Sequence, residues 1–499
     1  MTAQSIPALL AGACTDIRLA GKADAVGGCQ PSYHACPAST QEASAVLRAA
    51  AELGLAVLPR GAGTRLHWGA PPSRCDLVVD TRRMDAVLEH AAGDLVVRVQ
   101  AGVSLRKLAD VVGAAGQRLA LDPPGSGGAG PGGAGPGGAG PGGTGTIGGL
   151  IATGVAGPLR LRYGAPRDLL IGITVVRADG AVAHSGGKVV KNVAGYDLGK
   201  LFAGSYGTLG LITEAAFRLH PKPQAVAFVT TDCPDVAAAQ AVMAAAADSP
   251  LAPSAAELDW PRREAPIRAG ILLEGDPAGV AERAERLRAL LTGTAAGPVA
   301  TGPVATGPVA TGPVATGPVA TGTVPVSAVA AGPVAVSTVA PSWWGRGAAA
   351  AADGTVLRLA FWAGELAAVL DAIARAAAGG GLDPAVSGSA AAGVLHVSLP
   401  PSTAAAAVAE FLTTLRTALT RSPVLAAAGG TAAAGTAAAG RLSTGPPAGA
   451  SATVLHAPAA VLDAVDVWGP VSALSLMQAV KDRFDPEHRL APARFVGGI

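Results

Sequence analysis

Apolar and polar positions alternate along most of this chain with periods that separate helices from strands. Ser39 and Thr40 stand before a helical pattern over 42–53, and the apolar run 55–60 that follows reads as a strand ending at Gly61, Ala62 and Gly63. Strands are predicted at 77–80 and 95–99, and a helix at 105–115 behind the cap Ser104. Runs at 167–177 and 181–184 read as paired strands joined by a turn at Ala178, Asp179 and Gly180. A helix over 192–203 and a strand over 209–219 follow, and Pro221 and Pro223 mark the exit from this region.

A second mixed series then begins. It comprises strand 226–231, helix 236–247, strand 271–274, helix 281–291, strand 356–362, helix 366–378 and strand 394–399, and a terminal helix over 472–484 leads into a short tail. Strands and helices interleave with short connections, so the fold class is α+β. Two low-complexity tracts interrupt the pattern: GGAGP units inside a Gly/Pro-rich insertion at 125–143, and ATGPV units at 296–322. Pro removes donors and Gly maximises chain entropy, so neither tract can pack a core of its own. A stretch near 426–450, rich in Ala, Gly and Thr, reads as a further expansion. The expected division is a variable segment 1–36, a first domain 37–222, a second α+β domain 223–470, and a terminal helix and tail 471–499.

Composition narrows the function. The chain has 499 residues, half of them hydrophobic, enough for two to four domains with substantial cores. With 37 basic and 35 acidic residues its net charge is only +2, and the pairs Arg82–Arg83 and Arg262–Arg263 are too short for a phosphate-tracking stripe, so nucleic acid is excluded as a partner. No apolar run reaches the length of a bilayer span, and the apolar stretch ending at Cys14 lacks a preceding Lys or Arg, so no membrane span and a cytoplasmic location are expected. Five cysteines, with no CxxC pair, argue against a disulfide framework. Cys29, His34 and Cys36 lie close together, but a closed zinc site needs about four ligands, so no metal is expected there.

Chemistry concentrates where small residues follow strands. The stretches 145–154 and 188–220 set glycines and hydroxyl side chains beside Ile, Leu and Val, leaving backbone N–H groups bare enough to touch a ligand. Arg60-Gly61-Ala62-Gly63-Thr64 directly follows a predicted strand, Thr146-Ile147-Gly148-Gly149 opens a second loop, and Gly207-Thr208-Leu209-Gly210-Leu211-Ile212 opens a third. Three such loops point to a dinucleotide, whose diphosphate needs clustered donors with little steric cover.

These segments resemble the FAD-binding domain of the p-cresol methylhydroxylase (PCMH) and vanillyl-alcohol oxidase superfamily. Within it, KNVAGYDL at 191–198, GSYGTLG at 204–210 and the terminal KDRFDPEHRLAPARFVGGI resemble the FAD-binding subunits of glycolate oxidases. The resemblance covers about 37–222 and the last thirty residues well, and the middle in patches. It implies a PCMH-type domain of two α+β subdomains with FAD between them, a smaller α+β domain, and a tail packing back on the flavin domain. It places Arg60, Gly61, Ala62, Gly63 and Thr64, with Thr146, Ile147, Gly148 and Gly149, near the diphosphate. Thr153 and Gly157 would line the flavin region, and Gly207, Gly210 and the backbone around Ile212 would help hold the adenine half or the ring. It further implies two partners, a second flavoprotein subunit and an iron–sulfur subunit, and flavin-dependent oxidation of glycolate or a similar 2-hydroxy acid, or electron relay within the complex. Alternatives are a self-sufficient FAD-linked dehydrogenase for D-lactate or another D-2-hydroxy acid, and a noncatalytic flavin-binding subunit.

Departures from the family pattern refine this. Where some relatives carry a flavin-linking His, this chain has Thr64, so noncovalent FAD is expected, with His67 and Trp68 as partly buried loop anchors. Relatives acting on D-2-hydroxy acids hold a metal with two His around a Gly-Asp-Gly-Asn run. Ser389 and Ala392 stand where the first His and the Asp would fall, leaving His396 a structural role. Arg358, on a predicted strand, could meet a carboxylate. Tyr196 and Asp197 form a possible proton-transfer pair, for which capping by Asp197 is the simpler reading. Ala491 and Ala493 replace the commoner Asn and Gly in the tail, where the turn could be altered.

Overall fold

The computed structural model describes residues 7–124, 145–187, 197–293, 332–347, 354–420 and 450–499. The two repeat tracts and residues 188–196, including Tyr196, lie outside the described residues, as does the tract near 426–450 up to the strand that begins at Ala450.

Two sheets build the first domain. In one, Ile17–Leu19, Tyr33–Ala35, Leu77–Asp80 and Val57–Arg60 lie in that order, the last three parallel. Strands before residue 37 therefore belong to this sheet, and the variable segment expected at 1–36 contributes to the domain. Helix Thr40–Glu52 covers the sheet. Ser39 caps it by accepting the Glu42 N–H, and Ala43, Val46, Leu47 and Ala50 bury its apolar face. The other sheet, antiparallel throughout, orders Val87–Ala91, Val96–Gln100, Leu211–Arg218, Leu170–Val176 and Val182–Gly186.

Eight antiparallel strands form the second domain's sheet: Val334–Ser337, Ala225–Cys233, Ile267–Gly275, Ala255–Trp260, Ala385–Gly388, Val394–Leu399, Thr355–Phe361 and Ala450–His456. One face packs on helices Val236–Ala247, Pro277–Leu291, Leu366–Gly379 and Ala405–Thr420, burying Leu258, Leu357, Leu359, Leu395 and Val397. Successive side chains on a strand point to opposite faces. Phe228, Leu272, Val356 and Leu455 therefore turn to the first domain, joining clusters that contain its Leu159, Ile151 and Ile173. By the same alternation Glu257, Arg358 and His396 lie on the face toward the first domain. No helix among the described residues is long and apolar enough to cross a membrane.

The tail closes the structure by packing back on the first domain. Ala491 N–H donates to Val57 C=O at 2.8 Å, and Val57 N–H donates to Arg489 C=O at 2.8 Å. Lys481, with no exposed surface, reaches Asp485 (2.7 Å), Thr208 C=O (2.8 Å) and Leu490 C=O (2.9 Å). Ala491 and Ala493 adopt φ of 43° and 65°, so the left-handed turn survives without Asn or Gly, at an intrinsic cost of roughly 1–2 kcal/mol per residue.

Candidate functional site

The first glycine loop is anchored from beneath. Arg60 directs its guanidinium away from the loop, donating to Asp80 (3.1 Å) and Asp24 (3.3 Å) beside His34 Nε2 (3.1 Å). The bond from Arg18 holds the Asp24 carboxyl far below its ordinary range. Burial opposes ionisation of Asp80, but bonds from His34 and Arg82 outweigh it and hold that carboxyl low as well. His34, Cys36 and Asp80 are the one group of possible metal ligands found among the described residues. Asp80 is already engaged by Arg60 and Arg82, so the cluster reads as a support for the loop. Above it, Gly63 takes φ +77°, and a Cβ on Gly61 would collide with Thr146 Oγ1, so the first and second loops touch. The N–H groups of Ala62, Gly63 and Thr64 have no backbone acceptor among the described residues.

Thr146 caps helix Ile147–Thr153, accepting the Gly149 N–H at 3.3 Å. Ile147 and Gly148 donate to the Val103 and Ala101 carbonyls at 2.9 and 2.8 Å, so their amides fix the second loop against the sheet and are committed there. In the third loop Tyr206 and Gly207 take φ of 55° and 81°, and Tyr206 N–H donates to Ala152 C=O at 2.8 Å. Gly210 is needed for packing, since a Cβ there would lie 3.1 Å from the Phe202 ring. Ile212 is a core residue of strand Leu211–Arg218, paired with Val175. Asp197 makes no capping bond and instead pairs with Lys200 at 3.2 Å, because the described residues after it form only a short 3₁₀ turn, Leu198–Leu201.

The three loops meet. Gly61 to Arg65, Thr146, Gly149, Thr153 and Gly207 surround one narrow cavity of about 80 Å³, closed by Tyr206 and, from the tail, Arg494. Thr153 and Tyr206 also border a larger cavity of about 320 Å³, whose far wall is Arg358, Thr453, Leu455 and Trp468 of the second domain and whose near wall includes Arg160. Ile147, Gly148, Gly157, Gly210 and Ile212 line neither cavity. A glycine cradle with uncommitted amides fits the diphosphate of a dinucleotide, and the adjoining chamber between domains has the size of a ligand pocket.

Gly157 lies instead beside a small cleft, where the Asp122 carbonyl occupies the place its Cβ would take. Glu257, Ser389, His396 and Arg160 border the same cleft. Burial pushes the Glu257 carboxyl up to about 7, against the Ser389 hydroxyl that donates to it at 2.6 Å. Burial pushes His396 down to about 3, and its Nδ1 has no partner among the described residues. Arg160 falls to about 10 through burial and the neighbouring Arg358. Ser389 and the turn Ala390–Ala392 offer no ligand beside His396, so the two-His metal site does not fit this chain. Glu257 lay outside the elements read from the sequence, although Glu257 and Asp259 alternate with Leu258 and Trp260 along strand Ala255–Trp260, which is buried on both faces. Trp68 is a buried anchor beneath the Arg65 guanidinium, 5.5 Å from the ring centre, whereas His67 is exposed and meets His456 edge-on at 4.8 Å.

Comparison with known proteins agrees with this geometry. Residues 31–144 and 132–186 match the FAD-binding domain family. Among curated proteins, the chain is 37% identical over 194 residues to the glycolate oxidase subunit GlcD of Bacillus subtilis, covering 39% of this chain and 38% of that one. It is 38% identical over 186 residues to a D-lactate dehydrogenase of Archaeoglobus fulgidus (37% and 38% covered), and 32% identical over 166 residues to the glycolate oxidase subunit GlcE of Escherichia coli (33% and 43% covered). The matches thus span about two fifths of each relative. Among solved structures, an alkyldihydroxyacetonephosphate synthase superposes with a TM-score of 0.58 at 16% identity, covering 93% of this chain and 78% of the other. A chitooligosaccharide oxidase superposes with a TM-score of 0.54 at 14% identity (92% and 90% covered). Residues 31–186 thus match an FAD-binding domain, with FAD as its cofactor, and the two-sheet architecture around the converging glycine loops is the fold of these solved structures.

Proposed function

We propose that this chain is the FAD-binding subunit of a glycolate oxidase type complex, working with a second flavoprotein subunit and an iron–sulfur subunit on glycolate or a similar 2-hydroxy acid. The observation that carries the reading is the chamber between domains: it continues the glycine-loop cavity, and Arg160 and Arg358 stand in its walls. Arg358 has no ion pair among the described residues, which leaves its guanidinium available to the carboxylate of a hydroxy acid. Bound FAD supplies the hydride acceptor, and the protein supplies position and electrostatics. Ala62, Gly63, Thr64 and Gly149 would surround the diphosphate, Thr153 and Tyr206 would border the ring, and Arg358 would orient the substrate. Binding is noncovalent in this reading, because Thr64 offers no imidazole and His67 lies outside the narrow cavity. The location proposed is cytoplasmic, with any membrane contact made through partners.

A self-sufficient D-lactate or D-2-hydroxy acid dehydrogenase is the second reading, supported by the likeness to the Archaeoglobus enzyme. The absence of a two-His ligand set around Ser389 and His396 favours the subunit reading. Coexpression with candidate partner subunits, followed by glycolate-dependent dye reduction with and without this chain, tests it. Activity that requires both this chain and its partners supports the subunit role. Bleaching of the flavin by D-lactate in the isolated chain supports the second reading.

A further inference from the structure

The narrow cavity where the glycine loops meet carries charge that no described residue of its lining balances. Its lining includes two arginines, Arg65 and Arg494, and among the described residues no Asp or Glu. Arg494 is 3% exposed and comes from the tail, more than 400 positions away in sequence from the loop it joins. Its guanidinium donates to the Leu66 and Trp68 carbonyls at 3.0 and 2.7 Å, which fixes it against the segment just after Thr64. Arg65 donates to Pro124 C=O at 3.1 Å and stacks over Trp68. Among the described residues neither has a carboxylate near enough to raise its basicity: burial lowers both, opposed for Arg494 by Tyr206 and Cys75.

Burying an arginine without a counter-charge is strongly unfavourable, and two in one cavity are more so. The charge is balanced if the cavity's occupant is a dianion. We propose that Arg65 and Arg494 form a pair that neutralises the diphosphate of the dinucleotide, so that the carboxy-terminal tail is a wall of the cofactor site and closes it by contributing charge. The glycine amides then give the group its shape, and the two guanidiniums give it counter-charge. Lys481 serves the same closure: its bond to the Thr208 carbonyl ties the tail to the third glycine loop, while Arg494 ties it to the first. Tail docking and cofactor binding are thereby coupled, each favouring the other by the same free energy.

This inference rests on the FAD assignment, and the test separates the two. Full-length protein stripped of flavin is titrated with FAD at several NaCl concentrations, following flavin fluorescence, for the wild type, Arg494→Lys and Arg494→Met. Wild-type binding that weakens with salt, an affinity loss of about tenfold or more in Arg494→Met with a flatter salt dependence, and a smaller loss in Arg494→Lys are expected. Inorganic diphosphate should compete with FAD in the wild type and less well in Arg494→Met. Equal FAD affinity and equal salt dependence in wild type and Arg494→Met overturn the proposal. If Arg494→Met does not fold, Arg65→Met carries the same test with the tail intact, and an unchanged affinity there overturns it. A wild-type chain that fails to bind FAD overturns the cofactor assignment itself.

Discussion

Replacing Glu257 by Gln separates what the fold needs from what the site needs. Glu257 is 3% exposed on the sheet face toward the flavin domain, and burial raises its carboxyl from an ordinary 4.5 to about 7. A group whose folded pKa is raised contributes stability that is complete below about pH 4.5 and is lost as pH rises through about 7. The difference of about 2.5 units corresponds to about 3 kcal/mol between acid and alkaline limits. Gln has nearly the same shape, accepts the Ser389 hydroxyl bond and cannot ionise, so Glu257→Gln escapes this loss. Differential scanning calorimetry should show near-equal thermal midpoints at pH 4.5 and a variant more stable by several degrees at pH 8. His396 titrates identically in both proteins and cancels. A variant less stable than wild type at pH 8, or offset equally at both pH values, would show that Arg160 holds Glu257 ionised and would refute the reasoning.

Other perturbations probe separate parts of the account. Gly61→Ala drives a methyl into Thr146 Oγ1 and should weaken FAD binding at least several-fold, read by flavin fluorescence, and unaltered binding would mean the loops part freely. Ala493→Gly relieves a left-handed alanine and should stabilise the protein by about 1 kcal/mol in urea titration; destabilisation would count against the turn geometry. Lys481→Met leaves Asp485 buried without its cation and should cost about 3–5 kcal/mol by the same method, with an effect below about 1 kcal/mol contradicting the buried pair. Arg358→Gln should raise KM for a 2-hydroxy acid at least tenfold in the assembled complex while FAD content stays constant, and unchanged KM would remove Arg358 from substrate binding.

Periodicity and capping made much of the fold legible in advance. Helix Val236–Ala247 and strand Val394–Leu399 fall where the apolar pattern puts them, and Ser39 and Ser104 cap the helices they precede. Helix Ala405–Thr420 went unread because its alanines merge with the low-complexity stretch beyond it, and strands Ile17–Leu19 and Tyr33–Ala35 because three residues carry too little period. Glycine spacing picked out three loops that the fold brings to one cavity, but not the work of each residue. Arg60, Ile147, Gly148, Gly210 and Ile212 prove to be committed to the scaffold, because a sequence does not reveal which amides already have acceptors. Arg494 and Glu257 come from segments distant in sequence and required the tertiary fold to be seen.

Flavin binding by the isolated chain tests the central claim most directly. Purified protein should carry, or take up from added FAD, about one equivalent of a yellow chromophore released intact by heat or acid, and its thermal midpoint should rise with FAD concentration. A folded chain that stays colourless in excess FAD and gains no thermal protection would contradict the account.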